Sequence, residues 1–192
     1  MEVHYEEYAN LESYLLEKVR PHFLKNGYLS AADFFCIIIW KANRAKSKIA
    51  KKLLVHGHEY EDLNKAVHEL TSGLHRQPSP KDRLRFLWDD WKIGLPMASA
   101  ILAILYPDEF TVYDKRVCSV LQKEVEDFRD LLYQKNFEEL WRRYQEFKYA
   151  VEKSTPTDMR TLRDKDHYLW GKSFYKELIQ DIERGFQNQE SA

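Results

Sequence analysis

Along most of this chain apolar residues recur at the three- and four-residue spacing of an amphipathic helix, not in the alternation of a strand. From about Tyr5 to Asn26 they fall at Tyr8, Leu11, Leu15, Val19 and Phe23. That is one helical face, with Pro21 positioned to kink it and Gly27 to stop it. A second helix opens at Ser30. The run Phe34-Phe35-Cys36-Ile37-Ile38-Ile39-Trp40 taken alone fits a buried strand, but the cap before it and the Lys-rich stretch after it favour a helix broken near Ala42 and Asn43. A shorter helix is expected from Glu59 to about Leu74, followed by a loop at Gln77-Pro78-Ser79-Pro80. The next helix runs from Asp82 to Trp91. Leu95 to Tyr106 is apolar nearly all round and marks a central helix. Phe110 to Tyr113 reads as extended, and Asp114 heads a helix to about Lys123. Phe137 to Lys153 and Met159 to Phe186 are long amphipathic helices, and residues 187–192 form a polar tail expected to fray.

Three helix starts share one grammar. Ser30-Ala31-Ala32-Asp33, Ser79-Pro80-Lys81-Asp82 and Thr155-Pro156-Thr157-Asp158 each put a hydroxyl at the N-cap and a carboxylate three residues on. Two add Pro at the first helical position, where its missing N–H costs nothing. The pattern predicts an all-α fold, a single helical domain over residues 1–186 built as a bundle. Six Gly and six Pro in 192 residues agree, since a fold of many strands and turns would use more.

Composition narrows the chemistry. No apolar run nears the roughly 20 residues that span a bilayer, so no membrane partner is expected. The acidic start, Met1-Glu2-Val3-His4-Tyr5-Glu6-Glu7, lacks the order of a signal peptide, which points to the cytoplasm. Cys36 and Cys118 each sit among apolar neighbours and read as small buried hydrophobes, too few for an iron–sulfur cluster. His56, His58, Glu59 and the later His68 lack a zinc spacing signature, and a polar loop is the better account, so no metal site is assigned.

Net charge is −1, so any nucleic-acid contact must come from a local patch. One exists: between Phe34 and His58 there is no acidic residue, while Lys41, Arg44, Lys46, Lys48, Lys51 and Lys52 fall within twelve positions. Such crowding suits salt-sensitive phosphate contacts, and equally a solvated helix face balanced by acidic helices elsewhere.

The most informative stretch is Trp91-Lys92-Ile93-Gly94-Leu95-Pro96-Met97-Ala98, continuing to Tyr113-Asp114-Lys115-Arg116-Val117. Two helices joined by so short a turn need a residue tolerant of positive φ, and Gly94 is the expected supplier. The turn leads into a helix N-terminus, whose unpaired N–H groups suit a phosphate oxygen. This segment resembles the helix-hairpin-helix of the base-excision DNA glycosylase superfamily, with the hairpin at about 82–106. Ile93, Gly94 and Ala98 match its hydrophobic, second-glycine and alanine positions, and Asp114 matches its catalytic aspartate. Trp40-Lys41-x-x-Arg44 and Asp166-x-x-x-Trp170 are also similar to motifs in a group of bacterial proteins, a likeness that implies no activity.

The resemblance implies a DNA-glycosylase-like fold that binds DNA through Lys92, Ile93 and Gly94, aided by Lys41, Arg44, Lys46, Lys48 and Lys51. Two departures bear on this. Lys92 replaces the first glycine, and Pro96 stands where bifunctional members keep their Schiff-base lysine, which removes lyase chemistry at that position. What the likeness still implies is monofunctional hydrolysis of an N-glycosidic bond, with Asp114 activating water or stabilising an oxocarbenium-like sugar. No cofactor is required, though the family likeness allows a monovalent cation at the hairpin carbonyls. Against catalysis stands a plain role for Asp114 as a helix cap. Against DNA binding stands a helical interaction or scaffolding module that kept the fold and lost the chemistry.

Overall fold

The computed structural model describes residues 4–55, 62–121 and 127–186, and every regular element among them is helical, with no strand. The chain gathers into two compact units, Met1–Phe110 and Thr111–Ala192.

The first unit departs from the expected opening helix. A 3-10 turn over Tyr5–Ala9 stops at Asn10, whose side chain accepts the Ser13 N–H at 3.3 Å and starts α1 (Leu11–Tyr14) afresh. The helix then passes through a π turn, Leu15–Val19, into α2 (Arg20–Asn26). Pro21 explains the π turn: its ring would strike the Glu17 carbonyl in a regular helix and offers it no N–H. Widening by one residue relieves the clash, and the Arg20 N–H reaches back to the Leu15 carbonyl. Gly27 ends the helix in the left-handed region (φ 79).

Ser30 caps α3 (Ala31–Ala42) by accepting the Asp33 N–H at 3.1 Å. The expected break falls where Ala42 turns extended (φ −163, ψ 90), and after a 3-10 turn at Asn43–Ala45 the chain resumes as α4 (Lys46–Leu54). The expected start of the following helix at Glu59 lies outside the described residues; Asp62 caps α5 (Leu63–His75). Ser79 caps α6 (Pro80–Arg85), so this helix begins two residues before Asp82, with Pro80 in its first turn. A second π turn, Phe86–Asp90, leads to the corner, and α7 (Leu95–Leu105) follows.

Helix α7 is the core of this unit. Every residue from Leu95 to Leu105 except Pro96 is buried. At about 1.5–3 kcal/mol for each fully buried large aliphatic side chain, this helix dominates the apolar stabilisation around it. Gly73 positions the π turn: a Cβ there would lie 2.4 Å from the Phe86 Cζ, so the bare backbone of α5 is the seat for the Phe86 ring. Thr71, also fully buried, accepts the Leu29 N–H at 3.0 Å and donates to the Val67 carbonyl at 2.7 Å, so its hydroxyl is satisfied both ways.

In the second unit an irregular segment leads into α8 (Lys115–Leu121), followed by a 3-10 turn at Phe128–Tyr133, α9 (Phe137–Lys153) and α10 (Leu162–Glu183). The predicted extension of α8 to Lys123 lies outside the described residues, as does the 187–192 tail. The wholly buried Tyr144 pins the backbone at Thr111, accepting its N–H at 3.1 Å and donating to its carbonyl at 2.6 Å. Tyr113 does the same for the 3-10 turn, donating to the Phe128 carbonyl at 2.7 Å. Arg143, nearly buried, donates to Asp130 and Glu146 at 3.1 and 3.0 Å and lies over the Phe128 ring.

One helix start is corrected. Thr155 does not open the last helix: its hydroxyl turns back to the carbonyls of Val151 and Glu152 at 3.4 and 3.3 Å, finishing α9. Helix α10 starts after Thr161, which forms a reciprocal capping box with Asp164. The same Thr-x-x-Asp grammar occurs twice within ten residues, and the second copy makes the reciprocal bonds.

Candidate nucleic-acid interface

The corner between the second π turn and α7 is a true break. Trp91 ends the helix with φ −90 and ψ 0, its N–H bonded to the Phe86 carbonyl at 3.1 Å, and residues 92–94 are non-helical. Its left-handed residue is Lys92 (φ 53), not Gly94, which is extended with φ −63 and ψ 153. The expectation that Gly94 supplies positive φ is therefore corrected. The physical reason is the position of the helix end. A residue directly after a C-cap reverses the chain by going left-handed, while the residue before a helix start takes the extended form. Lys92 is the first of these and Gly94 the second. The reversal is closed by the Ile93 N–H, which reaches the Leu87 carbonyl at 2.8 Å.

Around the corner, exposure alternates. Lys92 and Gly94 face solvent, while Ile93 and Leu95 are buried and anchor the turn to the core. Both the side chain and the N–H of Ile93 are thus used inside the protein. Gly94 caps α7 without a side chain; its carbonyl accepts the N–H groups of Met97 and Ala98, both at 3.0 Å. Pro96 has no N–H, and of the two residues before it Gly94 is exposed and Leu95 buried. A Cβ built on Gly94 meets nothing within 4 Å. Neither φ nor internal packing requires glycine there, and the space in front of it is open to a group from outside. Ala98 is fully buried.

The basic stretch is brought to this corner. Lys52, on α4, donates to the Lys92 carbonyl at 2.7 Å, which puts an ammonium on a carbonyl of the corner. Arg44, Lys46, Lys48 and Lys51 are exposed, Lys41 is half-buried at the end of α3, and Lys46 also donates to Asn43 at 2.8 Å. Ile49 and Leu53 hold the other face of α4 inside. Lys46 and Lys48 occupy the first turn, which has no acidic residue. Cations at this end of a helix oppose its dipole, each at a cost of about 0.3–1 kcal/mol. Lys52 is the member of the basic stretch that the structure ties to the corner. Its pairing with Lys92 spans 40 residues, and no local pattern marks it.

Asp114 belongs to the second unit. It heads α8, half-exposed, with Oδ1 accepting the Arg116 N–H at 2.9 Å and its carbonyl accepting the Cys118 N–H at 3.0 Å. Capping is therefore a role it fills. Below it, burial pushes the Cys118 thiol up to about 12, an effect the nearby Asp114 charge adds to and the hydrogen bond with Tyr113 opposes. Tyr113 is likewise raised, first by burial and then by Cys118.

His56, His58 and Glu59 lie outside the described residues. Among the described residues no group of three or more His, Cys, Asp or Glu is arranged to hold a metal, and no helix is long and apolar enough to cross a membrane. Set beside known protein families, curated proteins and solved structures, the chain matches none.

Proposed function

We propose that this protein binds duplex DNA through the corner at Lys92–Gly94 and the basic face of α4. The observation that carries the reading is the Lys52 bond to the Lys92 carbonyl, which brings the lysine-rich α4 against the sequence-distant corner. The backbone amide of the exposed Gly94 would take one phosphate, and Arg44, Lys46, Lys48 and Lys51 its neighbours along the strand. The open space where a Gly94 Cβ would stand supports this, because no side chain fills that side of the corner. The left-handed φ at Lys92 also fits the resemblance, since it falls where the helix-hairpin-helix pattern keeps its first glycine. DNA-glycosylase-like architecture is part of the proposal.

A second reading, hydrolysis of an N-glycosidic bond, is favoured by Asp114 being half-exposed at a helix head and not sealed in the core. Its carboxylate would stabilise positive charge on the sugar as the base leaves. The test is a panel of damaged-base duplexes incubated with wild type and with Asp114→Asn, scored for abasic sites and for binding. Abasic sites from wild type alone support hydrolysis. Binding by both proteins without abasic sites supports a binding protein whose Asp114 is a cap. No binding by either at low salt leaves the helical interaction module and removes the proposal.

A further inference from the structure

A second cationic site lies within the other unit and is independent of the corner. Helices α8 and α10 border an open cavity of about 480 Å³, within the size range of small-molecule sites. Four basic residues line it, Lys115, Arg116, Lys172 and Lys176, against one carboxylate, Glu177. That carboxylate is already taken by Arg116. Among the described residues neither Lys115 nor Lys172 takes part in an ion pair. Like charges gathered around one hollow repel, and an anion entering it converts that repulsion to attraction.

The lining also holds the hydroxyls of Ser119 and Ser173. Ser119 donates to the Arg116 carbonyl at 2.7 Å, and the nearly buried Ser173 lies 3.1 Å from the Ser119 hydroxyl. With the Ser119 proton committed, Ser173 is the donor between them, so the hydroxyls are satisfied internally and ligand charge falls to the lysines. Two aromatic rings stand outside this lining, within reach of Arg116. Trp170 and Phe174, one helical turn apart on α10, lie parallel within 6° at 5.5 Å, yet are 42% and 44% exposed. Arg116 joins the two parts: it lines the cavity, and its guanidinium lies 5.6 Å from each ring centroid. The exposed stacked rings on one side of Arg116 offer a face for a planar group, and Lys115 and Lys172 offer charge for its phosphate.

We infer that this cavity binds a phosphate monoester carrying a planar aromatic group, of the size and charge of a nucleoside monophosphate. Lys115 and Lys172 bind the phosphate, Arg116 lies between the phosphate and the rings, and Trp170 with Phe174 receives the planar group.

The test titrates the full chain at low salt with AMP, inorganic phosphate and adenosine, followed by calorimetry. AMP saturates the site, and phosphate and adenosine each bind more weakly by roughly tenfold or more, since each keeps only part of the contact. Lys115→Glu with Lys172→Glu removes AMP and phosphate binding together. Trp170→Leu weakens AMP and leaves phosphate unchanged, a split that a fold defect would not produce. No saturation by AMP, or unchanged AMP affinity in the double lysine variant, overturns the inference. Duplex DNA binding by the same double variant is expected to match wild type, so failure here and failure of the corner are read separately.

Discussion

At Gly94 a single substitution separates stability from the proposed phosphate contact. Its φ of −63 is open to alanine, and a Cβ there meets no atom. Alanine would gain about 0.4–1 kcal/mol by restricting the unfolded chain, and would lose a comparable amount, about 0.5–1 kcal/mol, as a poorer N-cap than glycine. The two offset, so Gly94→Ala should leave urea stability within about 1 kcal/mol of wild type while a Cβ on that side of the corner weakens DNA binding. Equal loss of both, or of neither, contradicts the phosphate role. Cys118 gives a pH prediction. Burial raises its folded value from an ordinary 9.0 to about 12, so over that interval the unfolded chain binds fewer protons than the folded one. Stability from this group is whole below pH 9 and falls as pH rises towards 12. Urea titrations in that window should show the decline, and it should be shallower in Cys118→Ala. A slope indifferent to the substitution would exclude the thiol. The raised values of Tyr113 and Tyr144, both caused first by burial, act in the same direction.

Caps and periodicity made the helices readable from residue order, and α9 runs from Phe137 to Lys153 as its stripe predicted. The break between α3 and α4 was readable too, because the apolar run gave way to lysines. What residue order hid was resolved by competition between signals. Two Thr-x-x-Asp motifs stand close together, and only hydrogen bonding distinguishes Thr161, which starts α10, from Thr155, which finishes α9. Both π turns were also missed, since widening by one residue leaves the apolar spacing nearly intact. The corner's left-handed residue was misplaced because glycine is the usual bearer of positive φ, and here a lysine bears it. Thr161→Ala should cost about 1 kcal/mol through loss of the cap, with Thr155→Ala closer to zero, as measured by thermal melting. The reverse order would contradict the observed start of α10.

For the whole molecule, a net charge of −1 conceals two strongly local concentrations of positive charge, one in each compact unit. Averages over the chain therefore predict no polyanion binding, whereas the α4 face and corner predict it. The exposed Lys48 and Lys51 sit on that face, so their share of any phosphate contact can be counted from salt dependence. The most direct test is the affinity of the full chain for a short duplex across a series of salt concentrations, for wild type and for Lys48→Ala with Lys51→Ala. The expected result is binding that weakens steeply with salt in wild type, with a slope shallower by about one for each lysine removed. No duplex binding at low salt, or a slope that the double substitution does not change, would contradict the assignment of this surface to DNA.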